Sequence, residues 1–145
     1  MNRENDLILL VEDDEGHRLM IREGLRFGGL SHELRECVDG EAALDYLLRR
    51  SAYADAALSP RPALIILDIK LPKCDGFEVL ETIKADPVLR SIPVLMLTST
   101  DDQREINRCY ALGASSYIVK PIRFEAFEAQ VQALGKFLDI MRLPS

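Results

Sequence analysis

The stretch LILLVEDD at residues 7–14 sets five apolar residues directly before three acidic ones. A short continuous apolar run is typical of a strand that is buried on both faces, as in a parallel sheet. Similar runs occur at residues 63–67 and 93–97, and a shorter β-prone run occurs at residues 117–119. A fifth candidate at residues 32–38 has few apolar residues, which favours a less buried strand at an edge of the sheet.

Between these runs the apolar residues recur with helical spacing. The helical segments lie around residues 19–27, 43–48, 77–84, 100–113 and 123–142. Asp39 is suited to cap the second segment, Pro87 ends the third and Gly113 ends the fourth. Strand and helix therefore alternate five times, which predicts an α/β fold with an open, doubly wound, five-stranded parallel sheet and helices on both faces.

Length and composition limit the possible classes of protein. The 145 residues suit one domain, and we expect a single domain over residues 1–145, with a core from about 5 to 140 and no output domain. The net charge of −6, without a cluster of Lys or Arg, argues against nucleic-acid and anionic-membrane partners. No apolar run approaches the roughly 20 residues of a membrane helix. Three scattered cysteines indicate reduced thiols, and we therefore expect a cytoplasmic protein.

Polar residues with distinct chemistry directly follow the apolar runs. They are Glu12 and Asp13 after the first run, Asp68 after the second, Thr98 after the third and Lys120 after the last. Because ligands of open α/β sheets bind at the carboxyl ends of the strands, we expect these side chains to meet at one rim. Crowded carboxylates repel one another and recruit a cation, and oxygen ligands that leave room for water suit Mg²⁺.

This combination predicts the transfer of a phosphoryl group. An ionised Asp68 beside a metal ion is a nucleophile that needs no general base. The metal and Lys120 can neutralise oxygens of an incoming phosphoryl group, and the Thr98 hydroxyl can donate a hydrogen bond to another oxygen. The expected product is an aspartyl phosphate.

Several short motifs resemble the receiver domain of two-component response regulators. The motifs are LVEDD at 10–14, LDIKLP at 67–72 with DG at 75–76, LTS at 97–99, GA at 113–114 and KP at 120–121. They occur in the order and at the spacing of that family over about residues 5–140. The resemblance implies the flavodoxin-like strand order 2-1-3-4-5. It also implies a signalling protein that catalyses only its own phosphorylation and dephosphorylation.

The resemblance assigns a role to each site residue. Asp68 corresponds to the phospho-acceptor and Lys120 to the lysine that binds the phosphoryl group. Thr98 and Tyr117 correspond to the pair that switches conformation, and the peptide before Pro121 is usually cis in the family. The implied ligands of Mg²⁺ are carboxylates of three residues and the main-chain carbonyl of a fourth: Glu12, Asp13, Asp68 and Lys70.

Other residues keep two interpretations or depart from the family pattern. Asp14 suits equally a third acid near the metal and an N-cap of the first helix. His17 and His32 have no paired ligands near them in the sequence, which favours exposed surface histidines. Lys73 and Cys74 stand where the family usually has a Gly-Met pair, a change in the loop over the site that removes no ligand.

Segments at residues 14–17, 39–44 and 51–62 resemble stand-alone receivers that are paired with bacterial phytochrome kinases. The resemblance therefore implies a sensor histidine kinase of the bacteriophytochrome type as the phosphodonor, and output through protein–protein contact. By composition alone, the Ala-, Ser- and Pro-rich stretch at 51–62 is a long surface connection.

The last helical segment carries two apolar stripes at about 100° per residue. The stripe suited to pack on the sheet contains Phe124, Phe127, Val131, Leu134, Leu138 and Met141. The second stripe contains Ala126, Ala129, Ala133, Phe137 and Ile140. A surface helix of a monomer needs only one stripe, so Phe137 and Ile140 predict a homodimer through the face formed by the fourth helix, fifth strand and fifth helix. The alternative is that the end of the helix folds over its own domain.

Three other functional classes fit the sequence less well. Mg²⁺-dependent phosphohydrolases also use an Asp at a strand end, but they generally need a second acid two residues later, where this chain has Lys70. A receiver-like module that accepts no phosphate would lack the acids, the threonine or the lysine, all of which are present. A flavin or dinucleotide binder would have a Gly-rich loop after the first strand, and this sequence has none there.

Overall fold

Strands and helices alternate along the computed structural model, which describes residues 7–143. The strands are β1 (Leu7–Val11), β2 (Glu33–Cys37), β3 (Leu64–Leu67), β4 (Val94–Thr98) and β5 (Ser116–Val119). The α-helices are α1 (Glu15–Phe27), α2 (Gly40–Leu47), α3 (Gly76–Ala85), α4 (Gln103–Ala111) and α5 (Phe124–Ile140). The strands are all parallel in the order β2-β1-β3-β4-β5, which confirms the predicted flavodoxin-like sheet.

The sheet has a separate apolar core on each face. Successive side chains of a strand point to opposite faces, so Leu9 and Val11 of β1 pack with α2, α3 and α4, whereas Ile8 and Leu10 pack with α1 and α5. All five residues of β1 are buried. A run that faces two cores cannot alternate between apolar and polar residues, which explains the continuous apolar stretch in the sequence.

The two edge strands differ from the three central ones. β2 forms one edge and is only partly buried, as the sequence predicts. The prediction that residues 117–119 form a fully buried strand is wrong, because β5 forms the other edge and all four of its residues are only partly buried. An edge strand pairs on one side only, so its exposure depends on its place in the sheet rather than on its composition.

The connection between α2 and β3 is anchored by a buried serine. The connection at 51–62 contains two short 3₁₀ helices, Ser51–Tyr53 and Ala56–Leu58. The buried Ser59 hydroxyl contacts the carbonyl oxygens of Tyr53 and Asp55 at 3.0 and 3.1 Å, which ties the two turns together.

None of the helices within residues 7–143 is long and apolar enough to cross a membrane.

Helices α1 and α5 lie in very close contact. A Cβ added at Gly28 would be 2.3 Å from the carbonyl oxygen of Gln132, and one added at Gly135 would be 2.5 Å from that of Leu25. The sheet-facing stripe of α5 is confirmed at Phe127, Val131, Leu134 and Leu138. Met141 lies just past the end of the helix and is half-buried, and Phe124 is 59% exposed at the first turn, next to the groove between α1 and α5. Since α1 follows the carboxyl end of β1 and α5 follows that of β5, the first turns of both helices lie near the rim that carries the predicted site.

Candidate functional site

Side chains from four strand ends meet at the carboxyl edge of the sheet. Glu12 directly follows β1, Asp68 follows β3, Thr98 ends β4 and Lys120 follows β5, and all four residues are buried. The Lys120 ammonium donates one hydrogen bond to Glu12 and another to Asp68 Oδ2 at 3.0 Å. Solvent screens such buried charges weakly, so their mutual interactions are strong.

Three carboxylates at this edge form a cluster that fits a metal ion. Oxygens of Glu12, Asp13 and Asp68 all lie within 4.8 Å of one another. Glu12 and Asp68 are buried, whereas Asp13 is exposed and opens the cluster to solvent. An oxygen-only donor set with one open side suits a hard divalent cation that keeps part of its water shell. The chain therefore has an acidic cluster whose chemistry fits a divalent metal.

The surroundings of Glu12 raise its pKa and fix its carboxylate by hydrogen bonds. Burial raises its pKa from the usual 4.5 to about 7. The hydrogen bond and the positive charge of Lys120 lower the pKa, and the negative charge of Asp68 raises it, so burial outweighs the lysine. Glu12 Oε2 also accepts a hydrogen bond from the Asp14 main-chain N–H at 3.1 Å.

The main chain around Asp68 orients its carboxylate. Oδ1 accepts a hydrogen bond from the Ile69 N–H at 2.7 Å, which leaves Oδ2 for the lysine. The Gly76 N–H donates to the Ile69 carbonyl at 2.7 Å, and a Cβ at Gly76 would lie 2.2 Å from the Asp68 carbonyl oxygen. Asp75 caps α3 by accepting from the Glu78 N–H at 3.0 Å. The DG motif therefore lets α3 begin directly against the segment that carries Asp68.

Thr98 and Tyr117 lie on neighbouring strands and make different contacts. Thr98 is buried at the rim, and its hydroxyl makes no hydrogen bond to Asp68 within the part of the chain that the structure describes. The Tyr117 hydroxyl donates to the Thr100 carbonyl at 2.8 Å, and its ring packs against the α2–α3–α4 core. Burial raises the pKa of Tyr117, which keeps the hydroxyl protonated as a donor. Tyr117 is therefore tied to the loop that follows Thr98.

Two further features implied by the resemblance concern the main chain. Lys70 lies two residues after Asp68 with an exposed side chain, and the use of its carbonyl as a metal ligand stays a prediction. The expectation of a cis peptide before Pro121 is wrong, since no peptide bond among residues 7–143 is cis. Even before proline the trans form is intrinsically favoured, by about 0.5–1 kcal/mol.

The first turn of α1 contains a site residue that sequence reasoning missed. Asp14 is the N-cap and accepts from the His17 N–H at 2.8 Å, which decides between its two interpretations. His17 was expected on the surface, but its Nδ1 lies 3.1 Å from Lys120 Nζ and its ring contacts Phe127. His32 is half-buried rather than exposed. The position of His17 three residues after a capping Asp was the available signal, because the first turn of α1 adjoins the rim.

Arg18 is a second residue that the sequence did not single out. Its guanidinium donates to the main-chain carbonyls of Glu12 and Asp13, both at 3.0 Å, and its Nε lies 3.4 Å from Glu36. These contacts fix the β1–α1 loop that carries two of the acids. Helical side chains point towards the N-terminus of their helix, so the spacing of one turn from the cap Asp14 could have indicated this role.

The sequence matches known proteins over most of its length. Residues 8–132 match the response regulator receiver domain family. Response regulator Rcp1 of Synechocystis sp. is 37% identical over 140 residues, which cover 96% of this chain and 93% of Rcp1. The probable methanogenesis regulatory protein FilR2 of Methanothrix harundinacea is 35% identical over 131 residues, which cover 90% of this chain and 82% of FilR2.

Two solved structures are similar over the whole fold. The Mn²⁺-bound form of Rcp1 has a TM-score of 0.89 at 36% identity, over 96% of this chain and 99% of that one. The phosphorylated cyanobacterial phytochrome response regulator RcpA has a TM-score of 0.87 at 38% identity, over 96% of this chain and 98% of that one. The chain, with its 2-1-3-4-5 sheet and its cluster of acids and lysine at the strand ends, therefore belongs to the response regulator receiver domain family.

Proposed function

We propose that this protein is a phospho-accepting response regulator, in which Asp68 takes a phosphoryl group from a sensor histidine kinase while Mg²⁺ is bound beside it. The observation that carries the proposal is the buried Lys120 ammonium between Glu12 and Asp68, 3.0 Å from Asp68 Oδ2, in a cluster of three carboxylates. A fixed cation next to a carboxylate nucleophile is the arrangement that stabilises charge in phosphoryl transfer.

The proposed ligands of Mg²⁺ are the three clustered carboxylates and a main-chain carbonyl: Glu12, Asp13, Asp68 and Lys70. When bound there, the ion would neutralise negative charge on the phosphoryl oxygens. The exposed side of the cluster at Asp13 leaves room for water and for the donor. The Mn²⁺-bound form of the relative Rcp1 supports a divalent ion at this site.

The chain's own groups account for the remaining chemistry. An Asp68 carboxylate oxygen attacks the phosphorus of the donor, the bond from phosphorus to the histidine nitrogen breaks, and that nitrogen keeps the electron pair. Lys120 neutralises one phosphoryl oxygen, and the Thr98 hydroxyl donates a hydrogen bond to another. A carboxylate nucleophile needs no general base.

Radiolabelled acetyl phosphate with Mg²⁺ tests this proposal directly. We expect one phosphoryl group per chain, stable in acid and lost in base, as for an acyl phosphate. Asp68→Asn should abolish the labelling, whereas Asp101→Asn, the same change at an exposed acid, should retain it. Labelling of Asp68→Asn at full yield would contradict the assignment of Asp68 as the phospho-acceptor.

The proposed partner is a kinase of the bacteriophytochrome type. The likeness to RcpA, a phytochrome response regulator, supports this pairing. An autophosphorylated phytochrome kinase should transfer its phosphoryl group to the wild type and not to Asp68→Asn. Transfer from unrelated histidine kinases alone, under the same conditions, would exclude the pairing while leaving the phospho-acceptor role intact.

The proposed output is a conformational switch through Thr98 and Tyr117. The phosphoryl group draws the Thr98 hydroxyl towards Asp68, and the space that Thr98 vacates lets the Tyr117 ring turn further inward. The hydrogen bond from Tyr117 to Thr100 links this change to the face of α4, β5 and α5. Beryllofluoride with Mg²⁺ should therefore shift the NMR resonances of Tyr117, and unchanged resonances would contradict the switch.

A further inference from the structure

The Lys120 ammonium has a third polar neighbour besides Glu12 and Asp68. Its Nζ lies 3.1 Å from Nδ1 of His17. An ammonium group has three N–H donors and no acceptor. Nδ1 of His17 can accept the third hydrogen bond in the tautomer that carries its proton on Nε2.

Two other contacts hold His17 at this position, and its Nδ1 also lies 3.9 Å from Glu12 Oε1. The His17 N–H donates to the N-cap Asp14 at 2.8 Å, which fixes its main chain in the first turn of α1. The ring meets the Phe127 ring of α5 edge to face, at 5.4 Å between centroids and an interplanar angle of 73°. The side chain is 39% exposed, so the imidazole lies at the mouth of the site with Lys120 beneath it.

We propose that His17 is a positioning residue that fixes the Lys120 ammonium for phosphoryl transfer, an inference that rests on the proposed role of Asp68. Two carboxylates alone would let the ammonium pivot about the line that joins them, and a third acceptor removes this freedom. An imidazole carries no negative charge, so it orients Lys120 without competing with the incoming phosphoryl group. Its hydrogen bond is also easier to give up than one to a carboxylate.

Two substitutions separate the acceptor from the bulk of the side chain. His17→Leu keeps an apolar contact with Phe127 but removes the acceptor, and we expect phosphorylation by acetyl phosphate to slow by about fivefold, the effect of one net hydrogen bond. His17→Asn places an amide oxygen near the position of Nδ1 and should recover most of the rate. Arg26→Leu removes an exposed polar side chain elsewhere on α1 and serves as the control, with an unchanged rate.

Nitrogen NMR of the imidazole gives a readout that does not depend on phosphorylation. In the wild type the proton should be on Nε2, and Lys120→Met should abolish this fixed tautomer. Equal rates for His17→Leu and wild type, or a proton on Nδ1 in the wild type, would overturn the positioning role. Failure of the proposed function is distinguishable, because the wild type itself would then not be labelled on Asp68.

Discussion

At the residue scale, Glu12 couples the site to pH. Burial raises its pKa from 4.5 to about 7, so between these values the folded protein holds a proton that the unfolded chain has released. The stability that Glu12 contributes is therefore present at low pH and is lost as the pH rises from 4.5 through about 7. Metal binding needs the ionised carboxylate, so the metal affinity changes in the opposite direction and increases with pH.

We expect the Mg²⁺ affinity to fall by roughly tenfold for each pH unit below the Glu12 pKa, because one proton must leave for each ion bound. Calorimetric titrations on both sides of the pKa would measure this. Glu12→Gln should abolish the pH dependence of the Mg²⁺ affinity. Asp13→Ala should weaken Mg²⁺ binding at every pH but retain the pH dependence. Glu15→Ala removes a nearby carboxylate outside the cluster and should change neither the Mg²⁺ affinity nor its pH dependence. Equal wild-type affinities at both pH values would show that Glu12 is ionised throughout.

At the scale of elements, the connection from β3 to α3 contains a strained turn beside the site. Lys73 has a φ of 69°, and the Cys74 N–H donates to the Pro72 carbonyl across it at 2.7 Å, which makes a three-residue γ-turn. A left-handed conformation costs a residue with a Cβ roughly 1–2 kcal/mol. Lys73 Nζ lies 3.7 Å from Asp39 Oδ2, but the lysine side chain is 61% exposed and such ion pairs contribute little.

Lys73→Gly should therefore stabilise the fold by about 0.5–1 kcal/mol. Glycine relieves the strain at positive φ, which is worth roughly 1–2 kcal/mol. It also stabilises the unfolded chain by roughly 0.4–1 kcal/mol, and the expected gain is the difference between the two. Urea denaturation monitored by circular dichroism would measure the change. Lys73→Ala is the matched control, since it also removes the ion pair but keeps the Cβ, and it should give no gain. A glycine variant no more stable than the alanine variant would show that the turn carries no strain.

At the scale of the whole molecule, α5 presents an apolar surface that its own domain does not cover. The second stripe of α5 is exposed along its length, with Phe137 56% and Ile140 77% exposed. No part of residues 7–143 covers this stripe, so the end of the helix does not fold over its own domain. Apolar patches of this kind are typical of interfaces, and a two-fold contact is the commonest closed arrangement. We propose that the face of α4, β5 and α5 forms a homodimer.

Sedimentation should show a dimer for the wild type at protomer concentrations on the order of tens of micromolar. Phe137→Glu with Ile140→Glu should give a monomer, because two charges would have to be buried without partners. Leu58→Glu is the control: Leu58 is 58% exposed and its carbonyl accepts a hydrogen bond from Arg35 of β2, at the edge of the sheet opposite β5, so its variant should remain dimeric. A wild type that is monomeric both before and after phosphorylation would contradict the proposed homodimer.

Local patterns in the chain were sufficient to predict the type and order of the elements and most of the site. Continuous apolar runs such as Leu7–Val11 report burial on both faces, and each run is followed directly by the residue that reaches the rim. The link is physical, because parallel strands bring their carboxyl ends to one edge. Asp68 and Lys120 could be assigned because each lies next to its strand in the sequence, where the family motif also places it.

Only the tertiary structure decided which side chains complete the site. His17 and Lys120 are 103 positions apart, and they meet where α1 packs against α5 through the His17 and Phe127 rings. The exposure of β5 depends in the same way on its place at the edge of the sheet. Contacts of this kind join residues through space, so neither composition nor periodicity contains them. The strain at Lys73 likewise arises from the closure of its loop, because only glycine adopts a positive φ freely.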